Sequence, residues 1–153
     1  MTDGFLIETE VKLSNIPEAG NGRFFKKSYK KGTIVRIQKV ASETLHVIKN
    51  VSELKQYNME FVKHFGHSLP TYSNKHNNFI YLNYPPMNTN HSIDANIMYE
   101  FDESEKRTIL IKDVEAGDEM VQNYTHFTTV KWFEDYLNSN NMISARQLGI
   151  EIN

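Results

Sequence analysis

The apolar residues of this chain occur in short runs that end at turn-forming residues, which limits the fold to many short strands. Apolar and polar residues alternate over residues 5–13, and β-branched residues are frequent over residues 33–40. We predict a strand for each run, and residues 102–106 are interpreted as the charged turn of a β-hairpin, in which residues 102–105 are solvated. Further short strands are predicted at residues 23–25, 78–82, 97–101, 108–111 and 119–124.

Two segments have helical spacing instead. We predict one helix over residues 51–65, with Asn50 as its cap and Glu53 as a capping-box partner. A second helix is predicted near the C-terminus, with Thr128 or Thr129 as its cap. Its apolar side consists of Trp132, Phe133, Tyr136 and Leu137. The fold class is therefore expected to be mainly β with few helices.

Composition excludes several classes of function. The chain has 153 residues, a formal net charge of −2 and a pI near 6.3, which fit one domain without a broad basic surface for nucleic acid. It has no cysteine, which excludes disulfides, thiolate zinc sites and cysteine nucleophiles. No stretch has the ~20 consecutive apolar residues of a membrane span. We therefore expect a soluble, intracellular protein that binds neither nucleic acid nor membrane.

The first candidate functional segment is the turn Gly20-Asn21-Gly22, which Arg23 follows. Two closely spaced glycines allow positive φ angles and a close approach of the backbone to a ligand. Taken alone, however, this pattern is more typical of a tight β-turn.

The second segment runs from Asn90 to Asn96 and reads NHSIDAN. Neither helical nor strand periodicity accounts for these residues, which favours a functional role for Asn90 and His91. The structural alternative is an Asx-rich surface turn with a solvated histidine.

The third segment runs from Gly117 to Tyr124 and reads GDEMVQNY. Its structural alternative is a turn that enters an edge strand and ends in a packed tyrosine. The order and spacing of the three segments favour a shared functional role over three separate turns.

In this order, the segments resemble the conserved blocks of the SET-domain protein lysine methyltransferases. The family patterns are G-x-G-x-F-A followed by K-G-x-x-I, then N-H-S-C-D-P-N, then G-E-E-L-x-x-D-Y, and five of the seven positions of the second block are identical here. The resemblance spans residues 5–124. It implies a SET-domain fold of short strands in several small sheets over residues 1–124, with residues 125–153 as a C-terminal helical extension that packs on it.

The resemblance also implies a function, which is methyl transfer from S-adenosylmethionine to a lysine side chain of a protein substrate, with a histone tail as one candidate. Tyr124 matches the family's catalytic tyrosine. The expected cofactor-binding residues are Gly20, Asn21, Gly22, Arg23, Asn90 and His91. The residues expected to wall the substrate channel are Tyr81, Gln122 and Trp132.

Two departures from the family pattern concern the substrate channel. Many family members have an aromatic residue at the position of Gln122, where it limits how many methyl groups fit, so that number is not carried over. The cysteine-rich zinc module that often follows the domain cannot form without cysteine. The C-terminal helix with Trp132 is a candidate for closing the channel, although an aromatic stripe at helical spacing is more often ordinary core.

Other functions stay open at this stage. One is a catalytically silent SET-like module that binds peptide or cofactor, against which the intact Tyr124, Asn90 and His91 argue. A remoter one is an unrelated β-rich domain without a cofactor. A metal site at His64 and His67 is not expected, because only two candidate ligands lie close together in the sequence.

Overall fold

Short strands dominate the computed structural model, which describes residues 3–144. The strands are β1 (Thr9–Leu13), β2 (Asn21–Phe25), β3 (Ile34–Lys39), β4 (Leu45–Ile48), β5 (Gly66–His67), β6 (Ile80–Asn83), β7 (Asn90–His91), β8 (Ile97–Phe101), β9 (Glu105–Leu110) and β10 (Glu119–Gln122). The helices are α1 (Val51–Leu54), α2 (Met59–Phe65) and α3 (Lys131–Ser139), with a 3₁₀ turn at Tyr124–His126. The predicted fold class, mainly β with a C-terminal helix, is confirmed.

The strands form three small sheets, with the orders β1-β2-β10-β7, β3-β9-β8 and β4-β6-β5. In the first sheet β10 pairs in parallel with β7, so that Gln122 lies opposite His91. On its other side β10 pairs antiparallel with β2, so that Met120 lies opposite Arg23. Strand β10 therefore brings the three sequence segments together in one sheet.

The prediction of one helix over residues 51–65 is wrong, because the structure has two shorter helices there. Asn50 does cap α1, since its Oδ1 accepts a hydrogen bond from the Glu53 N–H at 3.0 Å. A second cap forms at Asn58, whose Oδ1 accepts a hydrogen bond from the Phe61 N–H at 3.2 Å and begins α2. The apolar stripe of Leu54, Tyr57, Phe61 and Phe65 keeps helical spacing across the break, but asparagine favours a cap over a helix interior.

The strand predicted from Phe5 begins only at Thr9. Phe5 instead forms an isolated bridge with Arg36 of β3. Its ring lies between the guanidinium groups of Arg23 and Arg36, at 4.3 and 4.4 Å from the ring centroid. Burial lowers the pKa of Arg36 to about 10. The segment before β1 thus covers two buried arginines.

Strands β8 and β9 form the predicted hairpin, but its turn is shorter than expected. Asp102 closes this turn by accepting a hydrogen bond from the Glu105 N–H at 2.7 Å, and β9 begins at Glu105. Lys106 therefore belongs to a central strand and is 0% exposed, whereas its charged neighbours in the sequence predicted a solvated position.

Helix α3 packs into the protein core. Its N-cap is Val130, which offers no side-chain hydrogen bond, so the predicted caps at Thr128 or Thr129 are wrong. Residues of α3 belong to one apolar core cluster, whose buried members are Ile48, Leu54, Val62, Ile80, Leu82, Val130, Phe133 and Leu137. The first two helices and α3 therefore share one apolar cluster.

The division of the chain at residue 124 stays a prediction, and residues 145–153 of the expected extension lie outside the described residues. Within residues 3–144, no helix combines the length and the apolar character needed to cross a membrane.

Candidate active site

A cavity of about 470 Å³ is lined by residues from all three sheets, and this volume is within the range of small-molecule sites. The first sheet contributes His91 and Gln122, the second contributes Tyr99, and the third contributes Ile80 and Asn83. The first and third sheets also contribute the strand-end residues Asn21, Asn90 and His67, and turns and the C-terminal helix contribute residues 18–20 and 88–89, Tyr124, Phe127, Phe133 and Glu134.

Two walls of the cavity differ in construction. The loop wall consists of residues 18–21 and 88–91 and is partly exposed to solvent. The aromatic wall consists of His67, Tyr99 and Phe127, whose ring centroids lie 5.2, 5.4 and 5.9 Å from one another. Loops carry the first wall, whereas packed rings form the second.

Tyr124 connects the two walls, since its ring lies 5.2 Å from His91 and 6.4 Å from Phe127. Its N–H donates to Nδ1 of His91 at 2.9 Å, so this imidazole is neutral with its proton on Nε2. Its hydroxyl donates to the Thr89 carbonyl at 2.5 Å. Burial raises the pKa of the Tyr124 hydroxyl, which therefore stays protonated in the neutral pH range.

The two glycines of the first segment have different roles. Gly20 has a φ of 75°, which favours glycine, and the space beside it is open. A Cβ at Gly22 would instead collide with the carboxylate of Glu119. Gly20 lines the cavity, whereas Gly22 is buried in β2 outside the described lining.

Glu119 occupies the space beside Gly22 because its carboxylate is held from several sides. It accepts hydrogen bonds from the Ser14 hydroxyl at 2.7 Å, the Asn15 N–H at 3.0 Å and the Asn90 side-chain amide at 3.1 Å. Asn90 also donates to the Asn21 carbonyl at 3.0 Å. The Asn90 side chain thus joins the two loops of the loop wall, and its amide hydrogens are used inside the protein.

Tyr99 is a buried polar residue of the cavity that the sequence pattern does not single out. Its exposure is 2%, and its hydroxyl makes no hydrogen bond of good geometry within residues 3–144. Thr89 and Gln122 lie close enough to lower its pKa, but burial dominates and raises it. A buried hydroxyl whose contacts with its neighbours are poorly aligned is suited to bind a polar group of a ligand. Strand alternation predicts which face Tyr99 lies on, but not that it belongs to the site.

Arg23 lies outside the described lining of the cavity. Its guanidinium donates to the carbonyls of Met87 at 2.7 Å and Pro86 at 3.0 Å, and to the Thr9 hydroxyl at 2.7 Å. These bonds hold Arg23 in the core beneath the loop that leads to Asn88. Arg23 thus stabilises the loop that leads to Asn88, which lines the cavity.

Tyr81 and Trp132, both expected to wall the substrate channel, also lie outside the described lining. Tyr81 is buried behind His67, with their ring centroids 6.0 Å apart. The indole N–H of Trp132 donates to a backbone carbonyl just before β6 at 2.6 Å. Helix α3 instead offers Phe133 and Glu134 to the cavity.

Within residues 3–144, no group of three or more His, Asp or Glu side chains is arranged to hold a metal ion. Of the two histidines considered above, His64 lies 3.8 Å from the Glu60 carboxylate at the surface. His67 lies inside the aromatic wall. Both histidines line the cavity, but no third His, Asp or Glu joins them in a metal-binding group within the described residues.

No family model matches the chain, and no curated protein matches it. Solved structures do. Polycomb Repressive Complex 2 of Chaetomium thermophilum, in an autoinhibited conformation bound to S-adenosylmethionine, aligns with a TM-score of 0.58 over 88% of this chain at 19% identity. A humanized mutant of that complex bound to an inhibitor aligns with a TM-score of 0.57 over 82% at 20% identity. The chain spans 17% and 16% of those two chains, respectively.

A candidate histone methyltransferase of Plasmodium falciparum aligns with a TM-score of 0.52 over 78% of this chain and 95% of its own length, at 17% identity. The chain has a SET-like fold. At these identities the similarity establishes the fold alone.

Proposed function

We propose that this protein transfers a methyl group from S-adenosylmethionine to a lysine side chain of a protein substrate. One observation carries the proposal. A single cavity brings together Gly20 and Asn21, the pair Asn90 and His91, and Tyr124, which lie far apart in the sequence. These are the positions that resemble the cofactor-binding and catalytic residues of SET-domain methyltransferases.

The loop wall has the chemistry that the cofactor requires. S-adenosylmethionine carries a zwitterionic end, a sulfonium and an adenine, so its site needs backbone donors in a concave turn and polar groups at the adenine edge. Gly20 leaves its turn open, with no protein atom within 4 Å of the place of a Cβ. Asn21, Asn88 and Glu134 add polar groups to the lining. These residues fit the cofactor, which supplies the transferable methyl group.

The aromatic wall has the chemistry that the target lysine requires. Methyl transfer to nitrogen needs a neutral amine aligned with the methyl group. Burial among His67, Tyr99 and Phe127 disfavours the ammonium form, because low-dielectric surroundings penalise charge. The hydroxyls of Tyr124 and Tyr99 serve as the polar groups that position the amine.

For the substrate we propose a lysine of an intracellular protein, with a histone tail as the first candidate. A Chaetomium thermophilum Polycomb Repressive Complex 2 in complex with H3K27me3 and H3K27M aligns with a TM-score of 0.51 at 17% identity. The formal net charge of −2 is compatible with a basic peptide. Gln122 lines the cavity and stands at the sequence position where many SET-domain enzymes have an aromatic residue that limits methylation, so product analysis is needed to count the added methyl groups.

The test combines binding and turnover. Calorimetry and thermal melting with S-adenosylmethionine and its demethylated product measure binding, and transfer of a labelled methyl group to core histones measures turnover. We expect the wild-type protein to bind the cofactor and to transfer the methyl group. Asn90→Ala should lose cofactor affinity, because this change separates the two loops of the loop wall. Ile93→Ala is the matched control, since this residue of the same segment is 82% exposed and should bind normally.

The outcomes separate the candidate functions. No heat and no melting shift at millimolar cofactor would remove the proposal altogether. Binding without transfer to any protein of a complete cell extract would favour the catalytically silent module.

A further inference from the structure

Lys106 is a fully buried amine immediately behind the aromatic wall. Its Nζ lies 2.7 Å from Oδ1 of Asn83, 2.9 Å from Nε2 of His67 and 3.8 Å from the ring centroid of Tyr99. All three of these residues line the cavity. No carboxylate within residues 3–144 forms an ion pair with Lys106.

The neighbours of Lys106 present acceptors to it. Nδ1 of His67 lies 3.0 Å from the Ser68 carbonyl, so Nδ1–H donates and Nε2 is left as an acceptor for Lys106. Asn83 Oδ1 also accepts a hydrogen bond from the Gln38 side-chain amide at 3.0 Å, which helps to orient this oxygen towards Lys106. Two acceptors and a ring face together suit an ammonium group.

The charged and titratable groups around Lys106 lie on four strands. Arg36 is on β3, Tyr99 on β8, His67 on β5 and Tyr81 on β6. Burial and the positive charge of Arg36 lower the pKa of Lys106 well below its usual value. Burial and Lys106 likewise lower the pKa of His67. The cluster is therefore short of negative charge, and each added proton makes the next less favourable.

We infer that Lys106 determines the protonation state of the target lysine, because the two amines face the same aromatic wall and hold a single proton between them. This inference rests on the proposed function. Two ammonium groups in one low-dielectric region repel each other, so their titrations are coupled. Lys106 keeps the shared proton because Asn83, His67 and Tyr99 surround it with acceptors. The target amine faces two tyrosine hydroxyls and remains neutral.

The proton balance is simple. The target amine enters the cavity having given up one proton, and its lone pair would form the new nitrogen–carbon bond while the carbon–sulfur bond of S-adenosylmethionine breaks, its electron pair staying on the sulfur of the neutral demethylated product, which leaves. The methylated product is an ammonium group, and its extra proton leaves with it or passes to solvent. Lys106 changes no covalent bond and does not contact the substrate, so it acts on the target through the electrostatic field of the wall.

The test is the pH dependence of turnover at saturating substrate, which reports ionisation in the enzyme–substrate complex. The variants are Lys106→Met and Lys106→Gln, of which the second keeps a hydrogen-bond donor and is expected to fold if the first does not. Lys112→Met is the control, since it removes the same charge from a partly exposed residue just after β9. A nearby charge shifts a pKa by about one to three units.

We therefore expect the rising limb of turnover to move to higher pH by about one unit or more in both Lys106 variants. Turnover would fall about tenfold or more at pH 7 and recover near pH 10. A merely structural role would lower turnover by the same factor at every pH, and that result would overturn the inference.

Binding gives a second readout without turnover. The probes are a lysine peptide that the wild-type protein methylates and the same peptide with norleucine, which lacks the amine, both measured by calorimetry with the demethylated cofactor product. In the Lys106 variants at pH 7, the lysine peptide should bind about tenfold tighter, whereas the norleucine peptide should bind as before. Equal changes for both peptides would overturn the inference. Failure of the proposed function is distinguishable, because the wild-type protein would then methylate no peptide.

Discussion

The loop wall and the aromatic wall face the same cavity but are built in opposite ways. Residues 18–21 and 88–91 lie in turns and at the ends of the short strands β2 and β7, and several of them are partly exposed. His67 and Tyr99 are fixed by packing, and Lys106 is buried behind them. Changes in the loop wall should therefore alter ligand affinity with little effect on ionisation. Changes at the aromatic wall should alter protonation and stability together.

The largest effect is expected at Tyr124, where the two walls meet. Tyr124→Phe removes a preorganised hydroxyl and should lower turnover by roughly a hundred- to a thousand-fold, or about 2.7 to 4 kcal/mol. Cofactor affinity should stay nearly unchanged. The variant also loses the hydrogen bond to the Thr89 carbonyl, which should lower the free energy of unfolding by about 1 kcal/mol. Turnover per folded molecule is therefore the quantity to measure, and wild-type turnover would contradict the assignment.

A smaller effect is expected at Gly22, which should behave unlike Gly20. Gly22→Ala should lower the free energy of unfolding by about 1 to 3 kcal/mol, because the new methyl group displaces the Glu119 carboxylate from its partners. Chemical denaturation measures this loss. In a Glu119→Ala background the same substitution should cost less, and an unchanged cost would refute the collision.

Gly20→Ala provides the contrast within the loop wall. Its cost comes from a φ of 75° alone, about 1 to 2 kcal/mol, and should be the same with or without Glu119. Denaturation of Gly20→Ala and Gly22→Ala, each with and without Glu119→Ala, tests both glycines in one experiment. Coupling between Gly20 and Glu119 would mean that the two glycines share one role.

Lys106, buried behind the aromatic wall, should make the free energy of unfolding depend on pH. The pKa of Lys106 is lowered in the folded protein, whereas the unfolded chain keeps the usual value of 10.5. Between these pKa values the unfolded state binds one more proton, so stability rises with pH by up to about 1.4 kcal/mol per unit. Denaturation from neutral pH up to about 10.5, compared between the wild-type protein and Lys106→Met, isolates this contribution from the ordinary titrations of other groups. Lys106→Met should remove the slope, and Lys112→Met should keep it.

The smallest effect on turnover is expected at Trp132. Its indole N–H donates to a backbone carbonyl just before β6, and Trp132 is not among the described residues that line the cavity. Trp132→Ala should therefore lower stability and leave turnover per folded molecule unchanged. Phe133 lines the cavity from the same helix, and Phe133→Ala should lower cofactor affinity as well. A turnover defect in Trp132→Ala with normal melting would indicate that Trp132 does wall the substrate channel.

The strands could be predicted from the sequence where alternation and turn residues agree, as in the hairpin of β8 and β9. The errors lie where a local hydrogen bond competes with a pattern. Asn58 caps a new helix inside an uninterrupted apolar stripe. Phe5 leaves its predicted strand to lie between two arginines that are distant in the sequence. Periodicity carries no information on such contacts.

Motif reasoning could find the loop wall because Asn90 and His91 stand in a run of mostly polar residues that neither helical nor strand periodicity explains. It could not find the aromatic wall. Tyr99 resembles any inward-facing strand residue, and Lys106 follows three acidic residues in a segment that resembles a surface turn. Only the pairing of β9 between β3 and β8 decides that Lys106 is buried. Tertiary packing therefore determines this half of the site.

The bonds of Glu119 also set an order of events during synthesis. Its carboxylate binds Ser14 and Asn15, and its strand β10 lies between β2 and β7. On a ribosome, residues 9–25 emerge long before the strand that completes their sheet. Because contacts between distant residues form only after both have been made, the nascent N-terminal hairpin must wait for residue 119 to leave the exit tunnel. A chain truncated before β10 would keep an open sheet edge, which is a target for aggregation and for chaperones.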